Sequence, residues 1–108
     1  MEDIWHSIID SATAELKRNL YAVDIHAVEV LVDNVLAAKK IGFYGVGREG
    51  LALKGFAMRL FHFGLSAFVV GEMTAAAVGP GDLLIVSAGP GYFSTVSALA
   101  GEAQRAGM

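Results

Sequence analysis

The sequence predicts an α/β fold, a parallel sheet between helices preceded by two N-terminal helices. Three observations predict it. Short, wholly apolar runs alternate with helical patterns after residue 39. Glycine-rich turns follow the first and third of these runs and lead into helices. The preceding segment carries helical periodicity alone. Strands apolar along their whole length belong to parallel sheets covered on both faces by helices, joined by right-handed crossovers.

The first helix is predicted from Ile4 to Leu20, where Ile4, Ile8, Ile9, Ala12, Leu16 and Leu20 recur at helical spacing. After a break at residues 21–24, a second helix is expected from Ile25 to Ala38, with Val28, Leu31, Val32, Val35 and Leu36 on one face. The two are expected to form an antiparallel pair or to pack on another subunit. The period then changes. Residues 40–44 form a short apolar run ending in Gly45-Val46-Gly47, a strand entering a tight turn. A helix is expected over 49–63, with Gly64 at its C-cap. A second strand is expected over 66–70, closed by Gly71, and residues 73–78 form a loop or short helix. Gly79-Pro80-Gly81-Asp82 is a turn, Leu83 to Val86 a third strand, and Ser94 to Ala106 a last helix capped by Ser94.

The 108 residues allow one domain, read as a helical pair over 1–38 and an αβ portion over 39–108. Three strands make a small sheet, and the chain stops at Gly107-Met108 where another strand is expected, so it reads as a partial chain. Hydrophobic residues make up 55% and charged residues 18%, a folded composition with apolar surface left for partner subunits. The net charge of −3 and the absence of a basic run argue against nucleic acid as partner. There is no cysteine, which excludes disulfide and thiolate chemistry. The first residues lack signal-peptide order, and no apolar stretch reaches the roughly 20 residues of a membrane span. A cytoplasmic protein is expected. Three scattered histidines without cysteine point to no metal site.

In an open parallel sheet ligands sit beyond the carboxyl ends of the strands. Two loops lie there, Gly45-Val46-Gly47-Arg48-Glu49-Gly50 and Ser87-Ala88-Gly89-Pro90-Gly91-Tyr92-Phe93-Ser94-Thr95. Each leads to a helix N-terminus, where free N–H groups and the helix dipole favour an anion. Gly45, Gly47 and Gly50 also spell G-x-G-x-x-G. That pattern admits a dinucleotide site, with Glu72 as the acid beyond the next strand, or a tight strand-to-helix turn and nothing more. The second loop favours a small phosphorylated ligand held between the two.

Several runs in this order carry a family resemblance: Ile41 to Gly50, Phe56 to Gly64, Val70 to Thr74, and Gly81 to Ile85. Over residues 40–106 the chain resembles the sugar isomerase (SIS) family, and within it the 6-phospho-3-hexuloisomerases. The resemblance implies a five-stranded parallel sheet between helices and a homo-oligomer needing no metal or redox cofactor. It also implies interconversion of 3-hexulose 6-phosphate and fructose 6-phosphate through a cis-enediol, with phosphate on the loop after the third strand and a carboxylate moving the proton. In the family that glutamate base lies beyond the point where this chain ends. Two departures stand out. Glu49 replaces the serine of the family's first loop. Ala88, Pro90, Tyr92 and Phe93 replace hydroxyl-rich positions of the second, a variant similar to that of plant-type SIS proteins.

The expected substrate-binding residues are therefore Gly45, Gly47, Arg48, Glu49, Ser87, Gly89, Gly91, Ser94 and Thr95. Arg48 is read as a phosphate partner or a solvated arginine. Glu49 is read as a first-turn acid complementing its helix, a carboxylate that can also repel phosphate. His62 and Glu72 are candidates for proton transfer or substrate contact, with structural roles as the alternative. Asp82 reads as structural; Trp5, Phe56 and Met58 read as packing residues. Two other readings of the whole chain stay open: a non-catalytic sugar-phosphate-binding or regulatory module, and a dinucleotide-binding domain.

Overall fold

The computed structural model describes residues 1–75, 77–89 and 91–108. The chain divides into two units, Met1–Asp33 and Asn34–Met108.

The first unit holds α1 (Glu2–Tyr21) and most of α2 (Ile25–Ala37). Glu2 and Asp3 in the first turn of α1 and Arg18 in its last suit the helix dipole. Asp24 starts α2, because its Oδ1 accepts the His26 N–H at 3.0 Å and its carbonyl accepts the Val28 N–H. The expected antiparallel packing is not made. No residue of α1 is buried, and Trp5, read from the sequence as a packing residue, is exposed. Helical periodicity fixes which side chains share a face, and here nothing in the unit covers the face that they form.

The second unit is built on a three-stranded parallel sheet of order β2-β1-β3, with β1 at Ile41–Tyr44, β2 at Ala67–Val69 and β3 at Leu83–Val86. The fold is thus the α/β arrangement expected. The register pairs Phe43 with Val69 on one side and Ile85 on the other. The central position of β1 explains its composition: Ile41 and Phe43, on one face, are 1% and 0% exposed, and Gly42 between them is buried. The edge strands are half-buried. Each β2 boundary falls one residue inside the expected one, although Ser66 and Val70 still carry ladder bonds, to Ile41 and Phe43.

Helix α3 (Gly47–His62) lays Leu53, Phe56, Ala57 and Leu60 on the core, and the Phe56 ring meets Phe43 edge-on at 5.2 Å. Met58 lies on the other side and is exposed, against its reading as a packing residue. Gly64 follows the end of α3 in the left-handed conformation (φ 88°) that lets the chain turn back toward β2. No helix forms in the described part of 73–78; Ala76 lies outside the described residues. Helix α4 (Ser94–Ala106) packs on β3 and buries Val96. Its N-cap is Phe93, without a side-chain cap bond, so Ser94 is its first residue and not its cap.

At the amino edge of the sheet, buried Asp82 accepts the Gly79 N–H at 2.8 Å and pairs with Lys40 Nζ at 3.5 Å. Burial pushes the Asp82 carboxyl up, but the Gly79 N–H and the Lys40 ammonium outweigh it and hold the pKa below the ordinary 3.8. Asp82 is structural, as expected.

Candidate functional site

Both loops leave the carboxyl edge of the sheet. Gly45 follows β1, and Gly47 (φ 61°) turns the chain into α3, which starts two residues earlier than the sequence pattern indicates. The glycine spacing serves a close strand-to-helix contact. A Cβ on Gly50 would overlap the Gly45 carbonyl, and one on Gly45 would stand 3.0 Å from the Gly50 backbone. A Cβ on Gly47 would meet nothing, so the left-handed turn alone calls for glycine there.

The second loop follows β3. Ser87 donates its N–H to the Tyr44 carbonyl at 3.2 Å, which continues the ladder past the strand end. Gly91 (φ 112°) donates to the Ala88 carbonyl at 2.8 Å and closes a turn. Pro90 lies outside the described residues. The loops meet at one point: the Gly89 N–H lies 3.1 and 3.3 Å from the two carboxylate oxygens of Glu49, which is half-buried in the first turn of α3. A side chain at 89 would overlap that carboxylate.

The donors at this crease differ from those expected. The Gly89 and Gly91 amides are bonded within the protein. The helix starts are different, since neither α3 nor α4 has a side-chain cap. Their first-turn N–H groups are donors that a helix cannot satisfy internally. Arg48, Ser94 and Thr95 are exposed in these first turns.

The other candidates fall elsewhere. His62 is the last residue of α3, about 22 Å along the helix from Gly47 at 1.5 Å per residue. It is exposed, with its ring 6.0 Å from that of Phe61. Glu72 lies past β2 and lines a cleft of about 720 Å³ together with Tyr44, Gly45, Gly50 and Lys54. Lys54 was missed by sequence reasoning. It stands four residues after Gly50, one helical turn on, and that spacing is the signal that could have found it.

The second unit has the α/β arrangement that the SIS resemblance implies, with two glycine loops at the carboxyl edge of its parallel sheet. No family model matches the chain. Over 49 residues it is 47% identical to the 3-hexulose-6-phosphate isomerase of Mycobacterium gastri, a stretch that is 45% of this chain and 25% of that protein. In structure it is similar to a hypothetical protein of Methanococcus jannaschii whose crystal structure infers a 3-hexulose-6-phosphate isomerase function. The TM-score is 0.78 at 34% identity, over 97% of this chain and 59% of that one. A second hypothetical protein of known structure matches with TM-score 0.87 at 27% identity, over 95% of this chain and 55% of that one. The chain thus spans little more than half the length of either structure. Its resemblance to 3-hexulose-6-phosphate isomerases holds in both sequence and fold. Among the described residues no helix is long and apolar enough to cross a membrane.

Proposed function

We propose that this chain is the phosphosugar-binding portion of an isomerase that interconverts 3-hexulose 6-phosphate and fructose 6-phosphate. The observation that carries the reading is the crease between the loops, where the Gly89 N–H already holds the carboxylate of Glu49 in the first turn of α3, a helix start without a side-chain cap. A site that holds one anion by a backbone N–H offers the same chemistry to a phosphate. The phosphate lies over the starts of α3 and α4, with Arg48, Ser94 and Thr95 beside it. Gly45 and Gly47 keep the first loop close to the sheet, and Ser87, Gly89 and Gly91 shape the second. The sugar extends toward Glu72.

Moving the carbonyl between C3 and C2 of a ketohexose phosphate transfers one proton between those neighbouring carbons through an enediol, so it needs one general base near both. Among the residues of this chain Glu72 fits that role better than His62, because Glu72 lines the cleft that also holds Gly45 and Gly50. The exposed apolar residues of α1 suit a homo-oligomer. Titration of fructose 6-phosphate by calorimetry tests the reading. Saturable binding is expected, and no heat at millimolar ligand in a folded sample removes it.

A second reading has an observation of its own. Glu49 stands on a loop donor where a bound phosphate would be served, which suits a module that binds sugar phosphate weakly and without turnover. Binding without isomerisation distinguishes it from the enzyme.

A further inference from the structure

We propose that Glu49 is an internal occupant of the phosphate position, a carboxylate that the sugar phosphate must displace from Gly89. This one side chain then sets how strongly the site holds phosphate. The inference rests on the phosphosugar reading and deepens it.

Both Glu49 carboxylate oxygens lie within hydrogen-bond distance of the Gly89 N–H, at 3.1 and 3.3 Å. The contact joins segments 40 residues apart, so it ties α3 to the loop after β3. The carboxylate fills the side of the turn at which a Cβ on Gly89 would project. A carboxylate and a phosphate monoester are alike in the respect that matters here. Both are anions that accept N–H bonds, and both are favoured at a helix start. With both in the crease they compete for one donor and repel each other. Phosphate therefore enters as Glu49 swings out, and the affinity measured is the intrinsic affinity less the cost of that exchange.

Three forms of the protein decide the matter: wild type, Glu49→Gln, which keeps length and an acceptor oxygen but removes the charge, and Glu49→Ser, which withdraws the side chain from Gly89. Inorganic phosphate, fructose 6-phosphate and unphosphorylated fructose are titrated into each by calorimetry, with the Gly89 amide followed by NMR. Both variants are expected to bind the two phosphorylated ligands about tenfold tighter or more, about 1.4 kcal/mol. Fructose binding is expected to be unchanged, and phosphate is expected to shift the Gly89 resonance. Wild-type binding with equal or weaker binding by both variants overturns this inference and leaves the phosphosugar reading standing. No binding in any of the three, all shown folded by thermal melts, removes both. Should a variant fail to fold, Glu49→Asp takes its place. Its shorter side chain no longer spans the contact, and a phosphate affinity no higher than wild type counts against the inference.

Discussion

The contact between Gly45 and Gly50 delivers the start of α3 to the carboxyl edge of the sheet, and Gly50→Ala tests it. In an exposed helix interior, glycine to alanine stabilises by about 1 kcal/mol. At residue 50 the added methyl would overlap the Gly45 carbonyl, which is backbone and has no rotamer to yield. Overpacking of that kind costs about 1–3 kcal/mol, and the upper end applies where the neighbour is main chain. The net expectation is a loss of about 2 kcal/mol, once the propensity gain is subtracted. Gly55→Ala is the internal control, because it lies in the same helix and its Cβ meets nothing within 4 Å. It is expected to gain roughly 0.5–1 kcal/mol. At about 4–8 °C per kcal/mol for a unit of this size, Gly50→Ala melts roughly 8–16 °C below wild type. Urea and thermal unfolding of the three proteins measure this directly. If Gly50→Ala melts at or above wild type, helix and strand are not pressed together, and the account of how the first loop is held is wrong.

Two further outcomes follow from the core and the amino edge. Phe43→Ala removes a ring that is 0% exposed and stacked edge-on against Phe56, and is expected to cost about 3–5 kcal/mol in urea unfolding. Asp82 has a folded pKa below its ordinary 3.8, so its contribution to stability is present above that pH and is lost as the pH falls through the folded value. The urea midpoint of the wild type should therefore decline on acidification below about pH 4; Asp82→Asn should show less of this decline, and an unchanged acid limb would contradict the pairing with Lys40.

The strands and helices of the second unit were legible because their signals are local. β1 is apolar on both faces and reads as a buried central strand; Gly79 to Asp82 and Gly64 mark turns by their own chemistry. The helix faces were legible too, but not what covers them. Trp5 and Met58 read as packing residues from their side chains, whereas burial depends on a partner surface that no local pattern encodes. Ser94 has the right side chain for a cap, yet the chain enters α4 one residue earlier, at Phe93. Of the site, the loops and their helix starts were readable from glycine spacing. The bond between Glu49 and Gly89 was not, since it depends on the second loop returning beside the first after a crossover. Nor was the internal use of the Gly91 amide, which depends on how that loop closes on Ala88.

The decisive measurement is a crystal structure of the protein soaked with fructose 6-phosphate. Phosphate oxygens about 2.7–3.2 Å from first-turn amides of α3 and α4, with the Glu49 carboxylate moved off Gly89, are what the account predicts. Ligand bound only in some other cleft, with the bond from Gly89 to Glu49 intact and the helix starts in water, would contradict it.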